Sequence, residues 1–403
     1  MNRATLPLRT SRRVEEVTYA VRDVVLWARQ AAAAGKDMIY LNIGDPCQFD
    51  FETPPHVVEA IVRAVQDNRT SYTPSEGIRE AVDAIRADAE VRKGIRGVRS
   101  VLVGNGASEP IELLLTALLD PGDAVLVPSP GYPLYTAVLA KLGARTVYYR
   151  TDPDHGWQPD LDHIRRLVSP TTRAIVVIDP NNPTGAVYPR ETRLALLEIS
   201  EQHGIPILAD EVYGDLAYDG PVPPIGALDP DALIISFSSL SKAYLAPGWR
   251  AGWLAVGRSP RLDETLAAIK KLADGRLCSP GPMQHAITAA ITGDRSHQVA
   301  FRQALRERAD LTVSRFNAMP GMRCVAPTAA FYAMPQVTLP RGQTDEDFVL
   351  ALLRETGILC VYGSGFGTDP AGGFFRVVFL ASPSELADIY EQIAQFTGRF
   401  LGH

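Results

Sequence analysis

The chain has 403 residues, of which 46% are apolar and 21% are charged, and its formal net charge at pH 7 is −6. A chain of this length and composition can bury a large core, so we predict a globular protein of two domains. Neither sign of charge is gathered into a run, which disfavours nucleic acid and anionic membranes as partners.

The cysteines, histidines and N-terminal residues carry no metal-binding or targeting signal. The four cysteines contain no CxxC pair and the seven histidines no HExxH spacing, so we predict neither a disulfide framework nor a metal site. No stretch reaches the roughly 18 apolar residues that cross a bilayer, and residues 1–13 lack the apolar core of a signal peptide. We therefore predict a cytoplasmic protein.

The first hundred residues predict helices around one short strand. Apolar residues at helical spacing predict helices over residues 14–34, 54–66 and 78–92. The run MIYLNIGDP predicts a strand that ends in a turn at Gly44, where the backbone can approach a ligand closely. Tyr72 lies in the polar loop before the third helix, where it either reaches a ligand or simply packs.

Seven short apolar runs then alternate with helical stretches. They are VLVG, AVLVPS, ARTVYYR, RAIVVIDP, IPILADEVY, ALIISFSS and GWLAVG. Strands rich in Val, Ile and Leu that alternate with helices form mostly parallel sheets covered on both faces, so we predict a seven-stranded α/β sheet. Ligands bind beyond the carboxyl ends of such strands, so the polar residues that follow these runs form the candidate site.

The last third of the chain predicts a smaller α+β domain. A long amphipathic helix over residues 295–317 leads into it, followed by a helix over 345–357, the strands GILCVYG and FFRVVFL, and a final helix over 382–400. Arg376 lies inside the second of these apolar strands without a local partner. A buried arginine is rare unless paired, so we predict that it binds a substrate carboxylate.

Residues 236–253 hold one lysine, Lys242, among small hydroxyl residues. A lysine amine attacks a carbonyl when a dry site makes its proton easy to lose. Ser239 precedes Lys242 and Arg250 follows it, and a guanidinium is suited to a phosphate. The pattern predicts an aldehyde cofactor that carries a phosphate, and the alternative is a solvated surface lysine paired with a carboxylate.

Two loops offer hydrogen-bond donors at strand ends. Residues 104–110, GNGASEP, open a helix and predict an anion site, although they also form a broken dinucleotide fingerprint in which Glu109 replaces a glycine. Residues 179–185, DPNNPTG, offer amide donors to an oxygen in the crevice, and such residues are also common in plain turns.

Three further side chains follow strands. Asp210, in ADEVY, can hold a protonated ring nitrogen or can cap a helix. Tyr213, three residues later, is either a hydrogen-bond donor in the site or a packed aromatic. Tyr132 begins the helix after another strand, and its ring can stack on a flat cofactor.

In this order, the motifs resemble the class I/II aminotransferases of pyridoxal-phosphate fold type I. The similarity runs from VRDVVLWAR and LNIGDP through YTPSEG, GNGASE, PNNPTG, ADEVY and SSLSKAYLAPGWRAGW to FFRVVF. LNIGDP with FDF shortly after it, GWQPDLDHI and RLCSPGPMQHA are most similar to the alanine aminotransferase branch. Asp179, in place of an asparagine, and Trp27, in place of a proline, depart from that pattern.

The resemblance implies a homodimer that binds pyridoxal 5'-phosphate. It implies transfer of an amino group between an L-amino acid, alanine, and a 2-oxo acid, pyruvate or 2-oxoglutarate, by a ping-pong mechanism. It implies a large cofactor-binding domain over residues 50–285 and a small domain built from residues 1–49 and 286–403. Rival functions are an aromatic or broad-range aminotransferase, a lyase of the same fold, a cofactor-binding regulatory module and a nicotinamide dehydrogenase.

The resemblance also implies roles for single residues. Lys242 would bond to the cofactor aldehyde and then move the proton, while Asp210 would pair with the pyridine nitrogen. The ring would be held by Tyr213, Asn182 and Tyr132. The phosphate would be held by Gly106, Ala107, Ser108, Ser239 and Arg250, with Tyr72 reaching it from the neighbouring subunit. The substrate would be held by Arg376, Asn182, Gly44 and Tyr19. No second arginine for a side-chain carboxylate is evident from the sequence.

Overall fold

The structure, a computed structural model, describes residues 9–402. Its α-helices are α1 (Arg12–Glu15), α2 (Ala20–Ala33), α3 (Pro55–Gln66), α4 (Arg79–Ala87), α5 (Ser108–Leu118), α6 (Pro133–Leu142), α7 (Leu161–Leu167), α8 (Arg190–His203), α9 (Asp263–Gly275), α10 (Gly281–Thr292), α11 (Ser296–Asn317), α12 (Asp345–Thr356) and α13 (Pro383–Leu401). Its strands are β1 (Ile39–Tyr40), β2 (Ser100–Asn105), β3 (Ala124–Ser129), β4 (Arg145–Asp152), β5 (Gln158–Pro159), β6 (Thr172–Ile178), β7 (Ile207–Asp210), β8 (Ile234–Ser239), β9 (Ala251–Val256), β10 (Met322–Cys324), β11 (Tyr332–Ala333), β12 (Pro335–Val337), β13 (Ile358–Leu359), β14 (Val361–Tyr362) and β15 (Phe375–Val378). Residues 1–8, which the sequence assigns to the small domain, lie outside the described range, as does residue 403.

The largest sheet in the described part of the chain has eight strands in the order β2-β9-β8-β7-β6-β3-β4-β5. The seven predicted strands are all members, and the two-residue strand β5 adds an eighth at one edge. Pairing is parallel from β4 through β3, β6 and β7 to β8, and antiparallel at β9, β2 and β5. The predicted α/β class is confirmed.

Both faces of this sheet are covered by helices, which explains the nearly continuous apolar strands. Along β6, Val176 packs into the hydrophobic cluster on one face and Val177 into the cluster on the other. Successive side chains of a strand point to opposite faces. A strand that is buried on both faces therefore needs an apolar residue at every position.

The parallel strands end together at one edge of the sheet. Ile178 at the end of β6 is in register with Asp210 at the end of β7, and Asp210 is in register with Phe237 in β8. The loops after β3, β6, β7 and β8 therefore leave the sheet at the same edge. This edge lies at the position where α/β sheets bind their ligands.

Smaller sheets are formed by the two ends of the chain. Strand β1 pairs in parallel with β13, and β15 lies between β11 and β14 in antiparallel pairing. Helices α11 and α13 pack against each other in the same region. The proposed division at residues 50 and 285 stays a prediction.

The predicted helix over residues 14–34 is wrong in its first turns. The chain forms the short helix α1, and α2 begins only at Ala20. Tyr19 precedes α2 with a non-helical backbone, and its N–H donates to the carboxylate of Asp23 at 3.2 Å. That bond satisfies an amide at the N-terminus of α2. Tyr19 thereby lies at the N-terminal end of α2, next to the sheet edge.

Candidate active site

A cleft opens at the carboxyl edge of the large sheet and brings most of the predicted site residues together. The predicted residues that line it are Tyr19, Gly44, Ala107, Ser108, Tyr132, Asn182, Asp210, Tyr213, Ser239, Lys242, Arg250 and Arg376. Gly106 lies just behind this lining, next to Arg250. Tyr72 lies elsewhere, with 85% of its surface exposed.

Lys242 follows strand β8 and carries the only lysine amine in the lining of the cleft within residues 9–402. Its Nζ donates to the carbonyl oxygen of Gly44 at 2.6 Å. Burial lowers the pKa of Lys242 to about 8, with Asp45 opposing this effect and Arg376 adding to it. An amine with such a pKa loses its proton easily near neutral pH.

Asp210 is a buried carboxylate at the end of β7. The residue is 5% exposed, and the only hydrogen bonds that its carboxylate oxygens receive from described residues come from Tyr135 Oη at 3.1 Å and from the N–H of Val212 at 3.4 Å. Burial raises the pKa of Asp210 to about 6. Among residues 9–402, no lysine, arginine or histidine nitrogen lies within 4 Å of its oxygens. The site thus holds a buried carboxylate without a cation.

Phenol pairs line the cleft on two sides. Tyr213 Oη lies 2.8 Å from Tyr332 Oη. Tyr19 Oη donates to Tyr132 Oη at 2.7 Å, and the two rings are nearly perpendicular, with centroids 6.3 Å apart. Burial raises the pKa of all four phenols, so each stays a neutral hydrogen-bonding group at pH 7.

Arg376, in β15, is a buried guanidinium. It is 2% exposed, and it donates to Asn182 Oδ1 at 3.0 Å and to the carbonyl oxygen of Asn42 at 2.5 Å. Its plane lies over the rings of Tyr332 and Phe366, with distances of 4.7 and 4.8 Å from Cζ to the ring centroids. Its Nε has no partner in the described part of the chain, and no carboxylate there lies within 4 Å. An acidic ligand would complete its bonding.

The start of α5 and Arg250 form the opposite end of the cleft. Gly106 has a φ of +68°, and a Cβ built there would lie 2.1 Å from Arg250 Nη2. A Cβ on Gly252 would lie 2.3 Å from the backbone nitrogen of Ala107. Arg250 itself has a φ of +53° and donates to the carbonyl oxygens of Pro247 and Asn105 at 2.9 and 3.4 Å. Glycine is thus required here because the guanidinium and the helix N-terminus lie so close together.

Four residues near this cleft were missed in the sequence. Tyr332 and Asn42 contact Arg376, and Tyr135 contacts Asp210, but all three lie in apolar or featureless segments. Arg22 lines the cleft beside Tyr19, and no carboxylate among the described residues lies within 4 Å of it. Its place in the first turn of α2, next to Tyr19, is the signal that could have revealed it.

The two departures from the expected pattern have structural partners. Asp179 is buried, its Oδ2 accepts from Arg193 Nε at 2.7 Å, and its Oδ1 accepts from the N–H of Tyr188 at 3.1 Å. Trp27 packs on Tyr362 with ring centroids 5.9 Å apart. Neither residue lines the cleft.

Metal and membrane features were searched over residues 9–402. No group of three His, Cys, Asp or Glu side chains there is placed to hold a metal ion. No helix in that range is both long and apolar enough to cross a membrane.

The sequence matches the family model for aminotransferase class I and II over residues 36–393. The chain belongs to this aminotransferase family. It is 38% identical to an alanine aminotransferase of Mycobacterium tuberculosis, over 96% of this chain and 92% of the relative. It is 36% identical to the glutamate-pyruvate aminotransferase AlaA of Escherichia coli, over 97% of this chain and 98% of the relative.

The fold of this aminotransferase is similar to that of solved members of the family. The structure of an alanine aminotransferase from Pyrococcus furiosus matches it with a TM-score of 0.92 and 40% identity, over 97% of this chain and all of that one. An aspartate aminotransferase of Thermus thermophilus with maleate matches with a TM-score of 0.86 and 32% identity, over 97% of this chain and all of that one. The protein is thus an aminotransferase of pyridoxal-phosphate fold type I, and its cofactor is pyridoxal 5'-phosphate.

Proposed function

We propose that this aminotransferase moves an amino group between L-alanine and 2-oxoglutarate by a ping-pong mechanism. The observation that carries the proposal is the cleft that joins three features: the amine of Lys242, the unpaired carboxylate of Asp210 and the unpaired guanidinium of Arg376. The names of the relatives support alanine and glutamate as the amino acids. The residue roles that follow are part of the proposal.

Pyridoxal 5'-phosphate fits the residues of the cleft in two respects. Asp210 is a buried carboxylate without a described cation, which suits a protonated pyridine nitrogen. The helix start at Ser108 and the guanidinium of Arg250 form a cradle of small residues that suits a phosphate. When bound, the cofactor supplies an aldehyde and an electron-withdrawing ring.

The remaining cofactor contacts follow from the lining of the cleft. Tyr213 and Asn182 offer hydrogen bonds to the ring hydroxyl, and Tyr132 offers its ring as a stacking surface. The phosphate would be held by Gly106, Ala107, Ser108, Ser239 and Arg250. These groups orient the cofactor, so Lys242 is the group left to move a proton.

Lys242 acts as the proton carrier in this proposal because its surroundings lower its pKa to about 8. Such an amine can accept a proton and return it at neutral pH, which is the condition for general acid–base catalysis. Gly44 accepts from the amine through its carbonyl oxygen. A Cβ at this glycine would lie 2.2 Å from Tyr332 Oη, so only glycine brings the carbonyl this close.

Arg376 binds the α-carboxylate that all amino-acid and 2-oxo-acid substrates share. Asn182 and Asn42 fix the guanidinium from two sides, so its planar donors are held in place before the substrate arrives. A preorganised arginine loses little entropy on binding. Tyr19 closes the same side of the cleft through its bond to Tyr132.

Arg22 gives the cleft a further arginine, beside Arg376, that suits the second carboxylate of a dicarboxylic substrate. It lines the cleft beside Tyr19, and it is exposed, so its charge is available to a ligand. Alanine and pyruvate have no second carboxylate to contact it. We assign to Arg22 the side-chain carboxylate of glutamate and 2-oxoglutarate, which lets one cleft accept both substrate pairs.

A spectroscopic titration tests the function directly. We expect the purified protein with its cofactor to show the visible band of an aldehyde-bound lysine, L-alanine to bleach it, and 2-oxoglutarate to restore it. The Lys242→Ala variant is the control and should give no such reversible change. A band that ignores alanine and responds to an aromatic amino acid would favour the broad-range rival, and release of ammonia would favour a lyase.

We further propose a homodimer in which Tyr72 reaches the phosphate of the neighbouring subunit. Tyr72 is far more exposed than is usual for an aromatic residue, and Val58, Val62 and Val65 leave an exposed apolar stripe on α3. An apolar stripe of this kind is typical of protein interfaces. Light scattering gives the mass in solution, and a monomer with full activity would contradict the proposal. The cytoplasmic location stays a prediction.

A further inference from the structure

Tyr135 is a buried phenol that neither lines the cleft nor belongs to the predicted site. It lies on α6, three residues after Tyr132, and is 1% exposed. Its Oη donates to Asp210 Oδ2 at 3.1 Å. Tyr132 directly precedes α6, so the segment that presents Tyr132 to the cleft also presents Tyr135 to the carboxylate of Asp210.

We propose that Tyr135 is a positioning residue that keeps Asp210 ionised and oriented toward the pyridine nitrogen of the cofactor. This inference rests on the proposed role of Asp210. A donor to a carboxylate stabilises the charged form over the neutral acid. Oδ2 receives no other hydrogen bond from residues 9–402, and Oδ1 receives only the longer bond from Val212.

The surroundings of Asp210 leave this task to Tyr135. The other titratable groups that face the carboxylate are the phenols of Tyr132, which directly precedes α6, and of Tyr213, in the loop after β7. Both are neutral at pH 7 because burial raises their pKa values. No described cation offsets the desolvation of Asp210, which raises its pKa. The hydroxyl of Tyr135 is the one side-chain donor among residues 9–402 that opposes this rise.

Packing holds the hydroxyl in position. The Tyr135 ring belongs to the hydrophobic cluster that includes Val127 and Ile178 on one face of the large sheet. Side chains in such a core occupy fixed rotamers. The donor therefore stays aimed at Asp210 when the cleft is open, so its contribution does not depend on the bound cofactor.

The test compares Tyr135→Phe with wild type in two measurements. In the cofactor-free protein, carbon NMR of labelled aspartate, with Asp210→Asn to identify the signal, gives the pKa of Asp210. We expect Tyr135→Phe to raise it by about one unit, since a hydrogen bond to a charged group has roughly that effect. The affinity for pyridoxal 5'-phosphate should then fall severalfold near pH 6 and match wild type above about pH 8.

Tyr149→Phe is the matched control. Tyr149 is fully buried and its Oη donates to the carbonyl oxygen of Val176 at 2.8 Å, so the substitution also removes a buried phenol hydroxyl. We expect it to lower stability without moving the pKa of Asp210. An unshifted pKa in Tyr135→Phe, or an equal shift in Tyr149→Phe, would overturn the inference. Failure of the proposed function is distinguishable, because wild type itself would then not respond to alanine.

Discussion

Two pairs of buried charges in this aminotransferase have opposite surroundings. Outside the cleft, Asp179 and Arg193 are 7% and 6% exposed and form an ion pair at 2.7 Å. Inside it, Asp210 and Arg376 are 5% and 2% exposed, and neither has an ionic partner among residues 9–402. Burying a charge costs several kcal/mol unless it is paired. The first pair is complete in the free protein, whereas the second pair needs ligands.

The contacts of Asp179 also explain why an aspartate can stand here in place of the expected asparagine. The carboxylate is satisfied by Arg193 and by the N–H of Tyr188, and Arg193 donates in turn to the carbonyl oxygen of Pro223 at 3.0 Å. The backbone N–H of Asp179 donates to the carbonyl oxygen of Asp210 at 3.0 Å. The residue that completes one ion pair thus also holds, through its backbone, the strand end that presents Asp210.

The largest expected effect is on Lys242, which lines the cleft together with the two unpaired charges. Lys242→Ala should lower turnover by at least about 10⁴-fold, because it removes both the bond to the cofactor aldehyde and the proton carrier. The unfolding transition should change little. Steady-state kinetics and thermal unfolding measured on the same preparation check this, and retained turnover would exclude the proposed role.

The paired and unpaired aspartates should respond oppositely to loss of charge. Asp179→Asn leaves Arg193 as a buried cation without a counterion, which should cost about 3–5 kcal/mol of unfolding free energy. Asp210→Asn should stabilise the cofactor-free protein. In the wild type, burial raises the pKa of Asp210 from 3.8 to about 6. The wild-type folded state therefore loses roughly 3 kcal/mol relative to the unfolded state as pH rises between these values.

Denaturant unfolding of both variants at pH 4 and pH 7 separates these outcomes. The advantage of Asp210→Asn over wild type should be small at pH 4 and should reach its full size by pH 7. Destabilisation of Asp210→Asn at pH 7 would mean that a cation compensates Asp210 in the free protein.

The two buried arginines, Arg376 and Arg193, should differ in their effect on KM. Arg376→Lys should raise the KM for L-alanine roughly 100-fold with a smaller change in kcat, because lysine lacks the planar fork that binds a carboxylate. Arg193→Lys is the control, because Arg193 is also buried but does not line the cleft, and it should leave KM unchanged. Equal KM values in the two variants would contradict the assignment of Arg376 to the substrate carboxylate.

Substitution of Arg22 should change KM less than substitution of Arg376, and only for the dicarboxylic substrates. Arg22→Gln should raise the KM for glutamate and 2-oxoglutarate about tenfold, the loss expected for one exposed charge-assisted hydrogen bond. The KM for alanine and pyruvate should stay the same, because these substrates have one carboxylate. A parallel loss for all four substrates would assign Arg22 to the shape of the cleft instead.

The smallest expected effect is a pH dependence of cofactor attachment. The neutral amine of Lys242 is the form that attacks an aldehyde, and its pKa is lowered to about 8. The rate at which pyridoxal 5'-phosphate bonds to the cofactor-free protein should therefore rise with pH and level off above about pH 8. Absorbance stopped-flow measures this rate, and a rise that continues to pH 10 would show that burial does not lower the pKa.

The parts of the site that the sequence predicts are those that depend on local pattern. Asp210 ends one apolar strand and Lys242 follows the next, and neighbouring parallel strands bring both residues to the same edge of the sheet. Arg376 is predictable because a charge inside an apolar strand is conspicuous. The glycines before α5 are predictable because small residues precede a helix.

The remaining residues depend on contacts that no local pattern contains. Asn42 meets Arg376 across 334 positions of sequence, and Tyr332 meets Tyr213 across 119. Tyr135 occupies an ordinary apolar helix position, so its bond to Asp210 is visible only in three dimensions. The start of α2 at Ala20 is not visible in the apolar spacing, because it is marked by the bond from the N–H of Tyr19 to the carboxylate of Asp23.

The pairing of β1 with β13 has a consequence for synthesis on the ribosome. Ile39 pairs with Ile358, the carbonyl oxygen of Asn42 accepts from Arg376, and that of Gly44, two residues on, accepts from Lys242. Contacts between such distant segments form late in folding. The segment over residues 39–44 is made early, yet it cannot accept the bond from Arg376 until residue 376 has left the ribosome, so the cleft of a nascent chain stays incomplete until then.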